Sequence, residues 1–582
     1  MGTVLDEGRS CGGVSRRLCA ADATDDTVTR EREPVVPAGV RLAAALAPAA
    51  VLAACGDGNG GGGAGSGTTS ASAAVTVTTQ PVSQAQASRF LGQATMGATA
   101  ASIAEVVGKG YDGWLTAQFA TGRTTTHWDW LVANGYNAAA NINTGNGFDA
   151  TMWRGMIADP DQLRQRVGMA LLDMLVVGIG GVNLSWKAFA AAAYVDVLLD
   201  TAFTNFRQIL DGITYNAAMG SFLTFLGNRK ANAATGSQPD ENYARELMQL
   251  FALGLYRLNM DGTTAGSTPT ETYTQADVSG LARVFTGLNL TGTDNTTPDR
   301  LRLPLTVTAL INETGSASFL GITVSGGGTA AIKAALDTIF AHANVPPFVS
   351  KQLIQRLVTS NPSPAYVARV AGAFVDNGKG VRGDMQAVIR AILLDTEARG
   401  DAGLTAQTAG KLREPVMRLT GWARAFGATS PSVAWAIGDT SSTTTRLGQS
   451  MGRSPSVFNW FRPGYAPPGT AISAAGLVAP ELQLADEQTV VAYVNYMQGL
   501  VQNGTGDVKA DYSDLLAKAG DSGALVDQVN LLLAAGQLSA ATVTAIRAAV
   551  DSIAATTTAG QQNRVYTAIL LTLASPDYLT AK

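Results

Sequence analysis

Thr274-Gln275-Ala276-Asp277-Val278-Ser279-Gly280-Leu281-Ala282-Arg283-Val284-Phe285 carries both a helix start and a helix face. Thr274 and Asp277 stand at the T-x-x-D spacing of a capping box, in which each side chain satisfies a backbone N–H of the first turn. Behind them Val278, Leu281, Ala282 and Phe285, with Leu288 beyond, recur at the spacing of one helical face. The same pattern repeats outward in both directions. Asp240 caps an expected helix through Leu255, with Tyr243, Leu247, Leu250, Phe251 and Gly254 on one side. Pro346-Pro347 opens another with Val349, Leu353, Ile354 and Leu357 inward. Further stripes run Val367, Val370, Ala371, Phe374, then Met385, Val388, Ile389, Ile392, then Val416, Leu419, Thr420, Ala423. The last hundred residues continue with Val543, Ile546, Val550, Ile553 and with Tyr566, Ile569, Leu570, Leu573. The fold class expected is mainly α, a large multi-helical domain. One stretch breaks the period: Leu305, Val307, Ala309 and Ile311 alternate with threonines, and Phe319, Ile322 and Val324 follow a Glu-Thr-Gly turn. This predicts a small inserted β-hairpin near 303–324. No repeat of fixed period is visible, which disfavours a solenoid.

The chain has 582 residues, of which 46% are apolar and 15% charged, with a formal net charge of −4. No basic surface is implied, so nucleic acid is not an expected partner.

Leu52-Ala53-Ala54-Cys55 ends an apolar run that begins at Leu42, and a glycine tract follows at once. That is the pattern of a bacterial lipobox. The run has the length of a signal-peptide core and is too short to span a bilayer. Signal peptidase II requires small residues before an acylated cysteine, so Cys55 is the expected lipidation site, and Gly56 to Ser72 has the composition of a flexible tether. Acyl chains contribute about 0.8 kcal/mol per buried methylene, so several chains anchor a protein almost irreversibly. Gly56, rather than Asp, at the second mature position favours the outer membrane, at its periplasmic face or the cell surface. Cys11 and Cys19 precede the cleavage point, so no thiol remains in the folded part. Disulfides, cysteine-ligated zinc and thiol catalysis are excluded there.

Several long motifs are recognisable together. They are Ser88-Arg89-Phe90-Leu91-Gly92-Gln93-Ala94-Thr95-Met96-Gly97, Glu241-Asn242-Tyr243-Ala244-Arg245-Glu246-Leu247 and Tyr273-Thr274-Gln275-Ala276-Asp277-Val278. To these are added Lys411-Leu412-Arg413-Glu414-Pro415, Pro455-Ser456-Val457-Phe458-Asn459-Trp460-Phe461 with Pro463-Gly464-Tyr465, and Leu573-Ala574-Ser575-Pro576-Asp577-Tyr578. The chain thereby resembles the domain-of-unknown-function 1800 family over nearly its whole mature length. The resemblance implies a bacterial exported protein, often encoded beside a member of the domain-of-unknown-function 1501 family, which makes such a protein a possible partner. It implies no established activity. Two departures stand out: relatives carry a Trp-His-x-His-Phe run where this chain has Leu171-Leu172-Asp173-Met174-Leu175-Val176-Val177, and His-Asp where it has Asn312-Glu313-Thr314-Gly315. The expected organisation is an N-terminal extension plus lipoprotein signal over 1–54, a Gly/Ser/Thr-rich tether over 55–82, a helical family core over 83–479, and a C-terminal helical part of the same family region over 480–582.

Candidate chemistry is sparse. His127 and His342 are far apart in sequence and neither stands in a metal-binding spacing, so no metal, cofactor or histidine triad is expected, and His342 reads as a helix-end residue. Glu241, Arg245, Glu246, Asp277, Arg283, Arg413 and Glu414 are the densest charges in a charge-poor chain. Two readings stand: an ion network between helices in a dry interior, or a cleft in which Glu241, Glu246 or Asp277 performs acid-base hydrolysis of a glycoside. Phe458, Trp460, Phe461 and Tyr465 lie on a proline-stiffened loop that suits sugar stacking, a partner's hot spot, or a plug over the core. The leading functional expectation is a lipid-anchored cell-envelope protein acting as a binding or assembly module with another exported protein, with a catalytic role left open but not favoured. The alternative is a hydrolase of envelope or extracellular polysaccharide using a carboxylate pair.

Overall fold

Helices start where side chains can satisfy the first backbone N–H groups, and the structure, a computed structural model that describes residues 81–582, shows this at Thr274, as expected, and also at Asp384. Thr274 and Asp277 form the capping box of the helix Gln275–Val284. Asp384 accepts from the backbone N–H of Gln386 and Ala387 at the head of Met385–Leu394. Pro346 and Pro347 occupy the first turn of Val345–Leu357, where the missing N–H groups would have no intrahelical partner anyway. Cys55, the leader expected before it and nearly all of the expected tether lie outside the described residues.

The expected helix from Asp240 to Leu255 is present in a shorter form. Asp240 accepts from the N–H of Asn242 at 2.8 Å, but Asn242–Glu246 alone is α-helical and Leu247–Ala252 widens into a π-helix. The N–H groups of both Leu253 and Gly254 reach back to the carbonyl of Met248, and Gly254 ends the turn at φ 77°. Glycine is required there: a Cβ would meet the Phe348 ring at 2.8 Å in a left-handed conformation.

Lys187–Thr201 is apolar nearly all round and is therefore buried, packed by Gln162–Met174, Phe206–Thr214 and His127–Ala133. Val345–Leu357 packs on Gln162–Met174 and Pro364–Val375, and the latter on Met385–Leu394. Towards the C terminus, Thr558–Ala574 gathers Glu487–Asn503, Ser522–Ala534 and Ala540–Asp551. Ser522–Ala534 also contacts Gln84–Ala94 and Pro415–Ala425, so one buried apolar cluster runs from Ala87 to Tyr578. Residues 480–582 thus share a core with the preceding helices. Among the described residues no helix is long and apolar enough to cross a membrane.

The mainly α reading holds, with small antiparallel pairs. The hairpin in 303–324 is Ala317–Phe319 against Ile322–Val324, turning at Leu320-Gly321. The Thr306–Val307 segment pairs instead with Leu288–Asn289, because Leu288 and Leu305 are both buried there. A third pair joins Lys411–Leu412 to Thr580–Ala581 and straps the end of the described chain across the middle of the fold.

Candidate functional site

The Val345–Leu357 helix has two working faces. Val349, Leu353, Ile354 and Leu357 are buried, as their spacing predicts. Phe348, Lys351, Gln352 and Gln355 form the opposite stripe and line an open cleft of about 880 Å³. Its other walls come from Arg89 and Gln93 on Gln84–Ala94, from Gly254 to Tyr256 beyond the π-helix, and from the segments around Ser360, Ala406 and Val478. Polar side chains pin these loops. Thr359 Oγ1 donates to the carbonyl of Gly410 and accepts from its N–H, both at 3.1 Å. Asn361 pairs with both backbone groups of Val478 at 2.9 Å.

Three amides in the cleft have orientations that follow from what stands behind them. A guanidinium can only donate and a carbonyl can only accept. Arg399 donates to Gln93 Oε1 and Arg356 to Gln352 Oε1, so both amides present Nε2 as their free end. Gln355 Nε2 donates to the carbonyls of Ser360 at 3.0 Å and Pro463 at 3.4 Å, which leaves Oε1 free. Gln93 and Gln355 are 5% and 7% exposed, yet none of the three free ends is sealed from solvent. Two donors and an acceptor on pre-oriented side chains, two of the three nearly buried, are the features of a formed binding site.

Beneath this floor lies a buried charge network. Arg166, Arg356, Lys411, Asp173, Glu414 and Glu481 are each less than 9% exposed. Lys411 Nζ donates to the carbonyl of Arg356 at 2.7 Å and pairs with Glu481 at 2.9 Å and Glu414 at 3.6 Å. Arg166 donates to the same Arg356 carbonyl, and Arg356 to the carbonyl of Asp173 at 3.0 Å. Gln449 Nε2 donates to Glu414 and Asn459 Nδ2 to Asp173, at 2.9 and 2.7 Å. Both arginines spend these donors on carbonyls, which leaves Asp173 Oδ2 and Glu481 Oε2 without partners. Burial, then the charge of Glu414, pushes the Asp173 carboxyl up to about 7. Burial also raises Glu481 and lowers both arginines.

A family model described as "Protein of unknown function (DUF1800)" matches residues 89–580. The chain belongs to this family. No curated protein and no solved structure matches it.

In this DUF1800 fold, three of the motifs that carried the resemblance meet at the cleft and the network, while the Glu241 and Tyr273 motifs supply no residue to either. The first supplies Arg89 and Gln93, the Lys411 motif supplies Lys411 and Glu414, and the aromatic loop supplies Asn459 and Pro463. The closing motif holds Arg413, which donates to the carbonyl of Tyr578 at 2.7 Å and lies over its ring at 4.9 Å.

The seven charges singled out by density do not meet. Glu241 bonds Arg245 at 2.9 Å, Ser279 at 2.6 Å and Gln275 at 2.8 Å in a half-exposed cluster. Partial burial opposes its ionisation, but those hydrogen bonds and the Arg245 charge outweigh it and hold its pKa below the usual range. Such an exposed pair is worth about 0.2–1 kcal/mol, so the dry network expected there does not exist at that place. Glu246 Oε2 has no partner, and burial raises its pKa. Asp277 is held in its capping box and by the N–H of Leu320 at 2.7 Å, which fastens the hairpin turn to the helix. Arg283 pairs with Glu313 at 3.2 Å, and only Glu414 joins the buried network. Glu241, Glu246 and Asp277 do not line the cleft.

The aromatic loop is divided between plug and surface. Phe461 is buried and Trp460 donates to the carbonyl of Ser450 at 3.2 Å. Tyr465 is half-buried, while Phe458 is exposed with the Arg462 guanidinium 4.7 Å above it. His127 is buried with Nδ1 3.0 Å from Thr151 Oγ1, and burial with the charges of Arg123 and Arg154 keeps it neutral. His342 closes the helix Gly328–Ala341. Among the described residues no group of three or more His, Cys, Asp or Glu is placed to hold a metal ion.

Sequence reasoning did not single out Gln93, Lys351, Gln352 and Gln355. The available signal was the polar stripe opposite the apolar face of the Val345–Leu357 helix, which by itself looks like any solvated face.

Proposed function

We propose that this protein is a lipid-anchored cell-envelope protein that acts as a binding or assembly module, and that the cleft of the Val345–Leu357 helix is its docking site. The partner favoured is a second exported protein, for which the family resemblance puts forward the domain-of-unknown-function 1501 family. The pre-oriented amides carry this reading: Arg399 and Arg356 hold Gln93 and Gln352 from behind so that their donors face an open cleft. The acidic side chain in the lining, Glu397, already accepts from the N–H and hydroxyl of Ser363. Hydrolysis by a carboxylate pair needs two carboxyl groups flanking one bond, about 5–9.5 Å apart, and nothing in the cleft favours that reading over binding.

Ala402 and Thr408 are exposed wall residues, so tryptophan at either position is expected to fill part of the cleft and to leave the core unchanged. Full-length protein is used as bait in solubilised envelope. Ala402→Trp and Thr408→Trp are expected to lose the same captured exported protein while keeping the wild-type melting temperature. Capture indifferent to both substitutions overturns the assignment of the cleft. For the anchor, Cys55→Ala is expected to abolish labelling by a fatty-acid analogue, and undiminished label on that variant rules out lipidation at Cys55.

A further inference from the structure

The chemistry of the free groups narrows the occupant further, on the reading that the cleft is a binding site. We propose that the cleft takes an acidic peptide segment, with its backbone read by Gln93, Gln352 and Gln355 and its carboxylate by Lys351.

Gln352 and Gln355 stand one turn apart on the same helix face, the first offering N–H and the second C=O. That donor and acceptor pair complements the C=O and N–H of a peptide backbone, and Gln93 adds a donor for a further carbonyl. No strand lines the cleft, so recognition of a backbone falls to side-chain amides and not to addition of a strand to a sheet edge.

The charge of the wall favours an anion. Lys351 is half-buried and its Nζ has neither a hydrogen-bond nor an ion-pair partner among the described residues. The Arg89 and Lys582 side chains add positive charge to the same lining, while Glu397 is bound to Ser363. Arg89 and Lys582 are themselves tied to backbone oxygens, Arg89 to Lys582 and Gly400, Lys582 to Leu404 and Ala406, so Lys351 is the cation left to pair with a ligand.

Between the polar points the wall is aliphatic. Leu255, Val358, Leu477 and Val478 suit small apolar side chains. Sugar stacking uses open aromatic faces; of the two rings in the lining Phe348 is turned against Gly254, which leaves the exposed Tyr256 as the single available ring. An acidic peptide fits this combination better than an acidic sugar chain.

The test is selection of a displayed random octapeptide library on full-length, detergent-solubilised protein. Enriched peptides are expected to share an Asp or Glu at one position among aliphatic neighbours. Their affinity should fall about tenfold on Lys351→Gln, and equally when the acid is changed to its amide, without further loss when both changes are combined. Lys351→Gln should melt close to wild type, since Lys351 Nζ makes no direct hydrogen bond or ion pair among the described residues and its charge acts only at longer range on Asp261. Enrichment without an acidic position, affinity unchanged by Lys351→Gln, or no enrichment at all overturns the proposal. So does tighter, Lys351-dependent binding of tri-galacturonate, which would give the site to acidic glycans. The failures separate: neutral peptides that Ala402→Trp excludes would leave a binding cleft with a different ligand, whereas envelope capture indifferent to Ala402→Trp removes the binding reading itself.

Discussion

Lys411→Met is expected to destabilise the protein by about 3–5 kcal/mol, more than removal of any exposed ion pair in the chain. Lys411 is the cation in direct contact with both Glu414 and Glu481, and all three side chains are nearly excluded from water. Methionine keeps the length and apolar stem of lysine, so the loss measures charge and not volume. Glu481 then loses its direct ion-pair partner and keeps only the longer-range charges of Arg166 and Arg356, and Glu414 retains Gln449 as its partner. The backbone adds to the effect, because the Arg356 carbonyl loses one of its donors. Urea denaturation at neutral pH checks this. Adding Glu481→Gln to Lys411→Met should recover part of the loss, since the stranded charge is then gone. The deficit should also shrink at acid pH, where Glu481, whose pKa is raised by burial, takes up a proton. A loss under about 1 kcal/mol would show that the network does not hold its charges in a dry interior.

Asp173→Asn is expected to act in the opposite direction, and only above a defined pH. In the folded protein the Asp173 carboxyl titrates at about 7, against 3.8 for an unperturbed aspartate, because burial and the neighbouring Glu414 charge both disfavour ionisation. Between these values the folded state holds a proton that the unfolded state has released. The unfolded state therefore binds fewer protons, and this group's contribution to stability falls as pH rises through that window. By pH 8 the accumulated penalty is on the order of 4 kcal/mol. Asparagine cannot ionise, and its carbonyl can still accept from Asn459 Nδ2. The variant should match wild type near pH 4 and exceed it by several kcal/mol at pH 8, as read from urea midpoints across that range. Parallel pH profiles for the two proteins would show that Asp173 is ionised in the fold without penalty.

Lys411 belongs to a family motif, whereas Asp173 stands in a segment where the chain departs from the family pattern. Lys411 and Glu414 were visible as neighbours in sequence, but Glu481 lies seventy residues on and Asp173 far upstream. No spacing rule connects them. The strand pair that fixes Lys411 against Thr580–Ala581 brings residues from distant parts of the chain together, and its two strands are too short to announce themselves. The reverse happened with Glu241, Asp277 and Arg283: crowding in sequence suggested one site, whereas helix geometry assigns them to a surface pair, a cap and a loop contact. The cleft was hidden for a related reason. Gln352 and Gln355 become distinctive only because Arg356, Ser360 and Pro463 orient their amides, and a polar stripe carries no record of what stands behind it.

What the sequence determined by itself is local. Capping residues such as Thr274 and Asp384 satisfy N–H groups two or three residues away, and apolar stripes such as Val349, Leu353 and Ile354 repeat within one helix, so helix starts, faces and the α class were legible. The tertiary structure alone decided where a helix loosens into a π-turn against Phe348, which strand finds which partner, and which charges share a dry interior. Those outcomes depend on contacts between residues from about twenty to more than two hundred positions apart, and the strength of a charge or an amide depends on whether water reaches it. Burial is a property of the whole packed chain, and no window of sequence contains it.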